Sequence, residues 1–442
     1  MTASGRKVAR RRPGKRPASD AASGYLRSGA PREVAIERIG AQGDGVGEGG
    51  VFVSGALPGE RVLARVDGDR GEAVEVLEPS PDRVSPPCPH FGSCGGCALQ
   101  HWAAAPYLEW KREQIRVALG RERIETEILT PFAASPASRR RLALHARKLG
   151  DGAAIGFKAR RSWRLVEIEV CPVADPRLVA AFPALRRLAA AFFEAPKSAP
   201  TLHVTLTDTG LDIDVTGVER RAGALSADAR SRAAEAADLA GFARVTLSGE
   251  ILYQVREPTV RIGPATVALP PAAFLQAVAA AEEAMAAFVL AELAGAQSYA
   301  DLYCGVGAFA LRLGALAPVF AADVSAPAVR ALLAARATVP GLKAVTAEAR
   351  DLVRRPMLAE ELKRIEAVVI DPPRAGAAGQ HRELARSRVG RVAGVSCNPA
   401  TFARDARILI DAGFVLERVL PVDQFLWSPH IELVGLFSRG RA

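Results

Sequence analysis

The stretch 298-SYADLYCGVGAFAL-311 decides the fold. A short apolar run carrying one acid, Asp301, is followed by a glycine turn and an apolar helix start. It reads as strand, tight turn and helix N-terminus, with Gly305 and Gly307 letting the backbone approach a ligand closely. Sixteen residues after Gly307, the next strand candidate, "FAADVS", ends in Asp323. Doubly wound folds use an acid at that place to bond ribose hydroxyls. Farther on, "EAVVID" and "RVAGVSC" read as two more buried strands separated by helical stretches. From about Pro270 this rhythm predicts an α/β fold with a doubly wound, Rossmann-like parallel sheet.

A G-x-G turn alone also suits a nicotinamide cofactor, although Ala310 stands where the third glycine of that fingerprint belongs. The ends of the later strands separate the two readings. "VVIDPPRAG" (368–376) closes a strand with Asp371-Pro372-Pro373. That turn presents a carboxylate and rigid carbonyls at the sheet edge where ligands bind. Methyltransferases using S-adenosylmethionine place a polar-Pro-Pro motif there.

The next strand ends in Cys397, within "AGVSCNPATFARD" (393–405), and so faces the same edge as Asp371. A nucleophile beside a methyl donor is needed when the acceptor is an unreactive carbon such as C5 of uracil. A thiolate adds to C6, makes C5 nucleophilic, and is expelled once a base removes the C5 proton. In "DQFLWSPHIELVGLF" (423–437), Glu432 lies between Ile431 and Leu433 and is the candidate base. Desolvation in such a strand raises a carboxyl pKa and improves it as a base. Alternation places His430 on the same face, as a candidate to orient Glu432.

Upstream, "CPHFGSCGGC" (88–97) holds Cys88, Cys94 and Cys97, and "EVCPVAD" supplies Cys171. Clustered cysteines in a chain without a secretory signal point to metal before disulfides. The spacing leaves two metals open. Zinc could use His90 or His101 as a further ligand, whereas an iron–sulfur cluster takes four thiolates and tolerates uneven spacing.

Residues 31–80 read as short strands with glycine-rich turns, a small OB-like barrel. A central α+β region follows over 81–265, and the cofactor domain over 266–442. Residues 1–30 hold eight Lys or Arg against Asp20, most of the net charge of +10. They read as a disordered arm suited to a polyanion. No run of eighteen uncharged apolar residues occurs, so a cytoplasmic protein without a membrane partner is expected.

In combination these motifs resemble the RNA 5-methyluridine methyltransferases. The match runs from about residue 32 to the end, through "ALPGE", "CPHFGSCGGCALQHW", "FLQ", "DLYCGVGAF", "DPPRAG", "SCNPATFARD" and "HIE". The resemblance implies a TRAM-type barrel and a [4Fe-4S] cluster on Cys88, Cys94, Cys97 and Cys171. It implies S-adenosylmethionine held by Gln276, Tyr303, Asp323 and Asp371, with Cys397 as nucleophile and Glu432 as base. The presence of both barrel and cluster implies 23S ribosomal RNA as partner, with tRNA the alternative, and a monomer is expected. A non-catalytic RNA-binding assembly factor is the reading from another class. Two departures stand out: Val278 follows "FLQA" where the family often has Asn, and "DQFLWSPH" replaces "DMFPHT" before the base.

Overall fold

A computed structural model describes residues 30–219 and 225–439. The basic arm lies, apart from Ala30, outside the described residues.

The N-terminal strands β1 (Pro31–Ile39), β2 (Gly45–Gly47), β3 (Phe52–Ser54), β4 (Arg61–Asp67) and β5 (Arg70–Glu78) close into a barrel in the order β1-β2-β3-β5-β4. β2 lies in "GDGVGEGG", which reads as a turn in the sequence. Its glycines pair tightly against β1 instead. A Cβ on Gly45 would stand 2.8 Å from Ile36 Cγ2 and 2.9 Å from the Ala56 carbonyl oxygen, so only glycine lets the strand in.

Helix α1 (Ala104–Arg121) follows, packing on the C-terminal sheet, and β6 (Glu127–Ile128) and β7 (Phe132–Ala133) pair with that sheet's outer strand. The central sheet is built from β8 (Arg141–Leu149), β9 (Gly152–Lys158), β10 (Leu165–Glu167), β11 (Thr201–Thr207), β12 (Gly210–Thr216), β13 (Arg244–Leu247) and β14 (Glu250–Gln254). Its order is β10-β9-β8-β11-β12-β13-β14. Helices α2 (Pro176–Ala180), α3 (Phe182–Ala190) and α4 (Ala227–Leu239) supply Leu178, Phe182, Leu185 and Leu188 and the alanines Ala229, Ala233 and Ala237 to its core. The hairpin β15 (Thr259–Ile262) and β16 (Ala265–Ala268) straddles the expected boundary at 265/266. Its Val260, Ile262 and Val267 pack with Leu311, Ala328 and Ala335 of the C-terminal part.

The C-terminal part comprises α5 (Ala279–Glu292), β17 (Tyr299–Leu302), α6 (Ala310–Leu313), β18 (Val319–Asp323), α7 (Ala326–Ala337), β19 (Val345–Ala349), β20 (Ala367–Ile370), α8 (Ala378–Arg386), β21 (Arg391–Ser396), α9 (Pro399–Asp411), β22 (Val415–Asp423) and β23 (Glu432–Ser438). The sheet order is β19-β18-β17-β20-β21-β23-β22-β6. β19 through β21 are parallel; β23 is antiparallel to both β21 and β22. Residues 299–302, 367–370 and 392–395 are buried on both faces, hence their unbroken apolar runs. The chain reverses direction across the sheet between β17 and β20, and such switch points open a crevice at the strand ends. Among the described residues, no helix is long and apolar enough to cross a membrane.

Candidate functional site

The edge beyond β17, β18, β20 and β21 gathers the predicted cofactor and nucleophile residues. Tyr303 follows β17 with φ at 65°, a left-handed conformation that L-residues rarely adopt and that functional loops retain. Gly307 has φ at 95°, and a Cβ there would stand 2.8 Å from Leu332. A Cβ on Gly305 would meet nothing, so this part of the turn faces open space. Asp323, ending β18, accepts from Gly305 N–H at 3.0 Å and from Ser325 N–H at 2.8 Å. The acid thus fixes the turn while each oxygen keeps a lone pair for another donor.

Asp301 is fully buried beneath the turn and accepts from Ala310 N–H at 2.7 Å. Its other oxygen is buried without a partner, and burial pushes the carboxyl up to about 8. The Tyr303 hydroxyl is likewise buried and unpartnered. These polar groups, with the open space at Gly305, fit a polar ligand such as a nucleoside.

The antiparallel strand brings the candidate base to the edge that holds the candidate nucleophile. Ser396 of β21 pairs with Leu433 of β23, so Cys397 and Glu432 lie one step beyond, at the same edge. Glu432 is buried, and burial followed by the Asp371 charge pushes its carboxyl up to about 8. Asp371 is pushed up to about 7, by burial and then by Glu282. Burial, then Glu432 and Asp371, raise the Cys397 thiol, and Arg374 acts against them. Each of these groups feels the next one's charge.

Asn398 caps α9, its Oδ1 accepting from Ala400 N–H at 3.1 Å with Pro399 in the first turn. That is the local reason for "CNPA": the strand ends at Ser396, the cysteine follows, and the helix begins two residues on. Thr401 Oγ1 donates to Arg374 O at 3.2 Å, tying the cysteine loop to the Asp371 loop.

Gln276 Nε2 donates to Asp371 Oδ2 at 3.3 Å. The segment around Gln276 is anchored by Arg140, whose Nε donates to Gln276 O at 3.0 Å and whose Nη2 meets Glu282 at 2.6 Å. Val278, at the position of the departure, is buried in the core. His430 precedes β23, is exposed, and sets its ring edge-on to Phe425. The residue that bonds Glu432 is Gln424, at 2.9 Å, so the expectation for His430 is corrected: the strand starts too late to place it beside the base.

The loop 424–431 is clamped from several sides. Lys111 and Asp423 form a fully buried ion pair. Lys111 Nζ also donates to the Phe425 and His430 carbonyls. Tyr107 Oη donates to Asp423 at 2.7 Å and accepts from Trp427 N–H at 2.8 Å. Ala98 and Leu99 N–H groups, just beyond the cysteine cluster, donate to Trp427 O at 2.8 and 3.0 Å.

Cys88, Cys94, Cys97 and Cys171 line one cavity of about 360 Å³, and none of them forms a disulfide. Gly95 lets the loop close: a Cβ there would stand 2.6 Å from Lys158 O. His90 also lines the cavity, but its Nε2 accepts from Glu169 N–H at 3.3 Å. His101 is buried against Phe91 and does not line it. Among the described residues, no group of three or more His, Cys, Asp or Glu side chains converges tightly enough to hold a single metal ion.

Comparison with known proteins places this edge in context. Residues 266–440 match the model of the tRNA (uracil-5-)-methyltransferase family. An RNA methyltransferase of Caulobacter vibrioides, named as uncharacterized, is 64% identical over 92% of this chain and 100% of its own length. The 23S rRNA (uracil(1939)-C(5))-methyltransferase RlmD of Halomonas elongata is 36% identical over 92% of this chain and 89% of its own. The chain belongs to the RNA uracil-C5 methyltransferase family. It is an RNA methyltransferase, as the resemblance of its motifs implied. A solved tRNA (uracil-54, C5)-methyltransferase of Pyrococcus abyssi, in complex with S-adenosyl-L-homocysteine, shares this methyltransferase's fold. Its TM-score is 0.68 at 24% identity, covering 92% of this chain and 99% of that one.

Sequence reasoning did not assign Gln424 a role in this methyltransferase, nor Arg374, Lys111 and Tyr107. The signal for Gln424 was its place in "DQFLWSPH", the departure from "DMFPHT" noted before the candidate base. Asp301 carried the signal that exposed Glu432, an acid inside an apolar strand.

Proposed function

We propose that this methyltransferase transfers a methyl group from S-adenosylmethionine to C5 of a uridine in RNA, through a covalent bond between Cys397 and C6. The single observation that carries the reading is the β21–β23 register, which puts Cys397 and Glu432 at adjoining strand ends beside Asp371. Gln276, Tyr303, Asp323 and Asp371 would hold the cofactor, whose sulfonium supplies the methyl group. Cys397 gives up its proton to solvent and adds to C6, and the electron pair of the C5–C6 double bond moves through the ring towards O4. C5 then takes the methyl group. Glu432, its affinity for a proton raised by burial, removes the proton from C5, and the C5–H electron pair re-forms the C5–C6 double bond and expels the Cys397 thiolate. The uridine must leave its stack to reach this buried edge, which a single-stranded loop permits at small cost.

The identity to a named 23S rRNA enzyme supports ribosomal RNA as the substrate class. Four cysteines lining one cavity, with His90 already bonded and His101 elsewhere, support a ligand set of thiolates alone, which suits a [4Fe-4S] cluster. The experiment is methyl incorporation into unmodified 23S RNA. Cys397→Ala should abolish it while S-adenosylmethionine still binds. Glu432→Gln should accumulate a protein–RNA adduct that survives a denaturing gel. An active Cys397→Ala enzyme would overturn the mechanism.

A further inference from the structure

The turn joining β9 to β10 has no part in the chemistry above. At its tip Trp163 is 87% exposed, the largest value among the exposed large apolar side chains. Its display is built in. Ala159 N–H donates to Arg164 O at 2.8 Å, Ser162 N–H to Ala159 O at 3.1 Å, and Arg164 N–H to Ser162 Oγ at 3.1 Å. Lys158 Nζ stands 3.7 Å from the centre of the indole and covers one face. The exposure of the ring leaves the other face to solvent.

Beside the tip lies a cavity of about 390 Å³ between the barrel, the cysteine loop and this turn, lined by Arg70, Arg160, Arg161 and Arg164. Buried Asp44 gathers three of these guanidinium groups: Arg160 at 2.8 Å, Arg161 at 2.5 Å and Arg70 at 3.5 Å. Arg70 also meets Asp69 at 3.8 Å, so two carboxylates face three cations and leave an excess of positive charge. Asp67 and Glu72 line the same cavity from the barrel side, so its cationic end is the end at the turn, where Arg164 has no ion-pair partner among the described residues. Gly95 N–H of the cysteine loop donates to Lys158 O at 3.0 Å and props the turn from beneath.

We propose that this turn is a second RNA-binding site, remote from the reacting base in role, taking one unpaired nucleotide of a single strand. The base stacks on the free face of Trp163, and the neighbouring phosphates lie on Arg161 and Arg164. The proposal rests on the RNA methyltransferase reading. An apolar protein partner would need uncharged surface around the indole, and this indole carries Lys158 on one face and shares its turn with Arg160, Arg161 and Arg164. An unpaired nucleotide offers both a flat face and a negative charge, and every base has such a face. A duplex keeps its faces stacked and suits the site less.

The test is binding of a fluorescently labelled, uridine-containing single-stranded RNA to the full chain, read by anisotropy. Trp163→Ala should weaken it about 5- to 100-fold, and Trp163→Phe should restore most of the loss. Adenosylhomocysteine affinity should not change in either variant. Arg161→Gln with Arg164→Gln should flatten the dependence of log affinity on log salt by roughly 0.7 for each phosphate left without its arginine. Equal binding by wild type and Trp163→Ala, or tighter binding of a duplex than of the single strand, overturns the proposal. Those results leave uridine methylation standing, whereas a wild-type enzyme that incorporates no methyl group into RNA removes the reading beneath it.

Discussion

Gln424 donates to Glu432 Oε2 at 2.9 Å through the same amide nitrogen that donates to Gln276 Oε1 at 2.7 Å. Its own Oε1 accepts from the Ala277 N–H at 2.9 Å. A backbone N–H can only donate, so this bond dictates which end of the Gln424 amide is oxygen. The nitrogen end then faces two acceptors. Gln276 is turned in its place, its nitrogen towards Asp371. One main-chain group thus sets the polarity of a line of side chains from Glu432 to Asp371.

Gln424→Leu keeps the volume and removes the donor. The hydrogen bond from Gln424 favours the charged carboxylate of Glu432, so its loss raises a pKa that is already up to about 8. A base must be deprotonated to act. The acidic limb of the pH–rate profile should therefore move to higher pH by about one unit, with the rate at neutral pH falling about tenfold. Single-turnover methyl transfer across a pH series measures this. An unmoved limb would show that Gln424 does not act through Glu432.

The raised carboxyl groups also govern stability. The folded pKa of Glu432, up to about 8, lies above its ordinary value of 4.5. Folding then favours the protonated form, and the associated stability is full below the unfolded pKa and is lost as pH rises through the folded one. Glu432→Gln should match wild type near pH 4 and exceed it near pH 9 by on the order of a few kcal/mol. Thermal melts at the two pH values test the sign.

The Lys111–Asp423 pair is fully buried and anchors the loop before the base. Lys111→Ala strands the Asp423 carboxylate and frees two carbonyls. A loss of about 3–5 kcal/mol is expected in urea unfolding. Activity should fall further than the folded fraction, because the loop carries Gln424.

Gly307→Ala meets both a left-handed backbone and Leu332. The turn must shift, and the affinity for S-adenosylhomocysteine should drop by about tenfold, equivalent to ~1.4 kcal/mol, in calorimetry.

Protein purified without oxygen should show a broad visible absorbance and about four iron atoms per chain. Cys171→Ala should lose both. Stoichiometric zinc with no visible band would replace the cluster with a different metal.

Strand identity in the C-terminal part was legible because residues 299–302, 367–370 and 392–395 are buried on both faces and must be apolar throughout. The shared edge of Cys397, Asp371 and Asp323 was legible for a related reason: a parallel strand delivers its last residue to one edge. β2 was hidden because its residues are glycines chosen for what they let approach, a property of the partner strand. The pairing of Gln424 with Glu432 was hidden because loop 424–431 takes its path from α1 and the cysteine loop, far away in the chain. The sequence by itself determined which residue types stand at the ends of the strands, since periodicity and burial are local to each element. Only the tertiary structure decided which of those ends share charge and hydrogen bonds, because that depends on the antiparallel register of β23 and on packing between segments hundreds of residues apart.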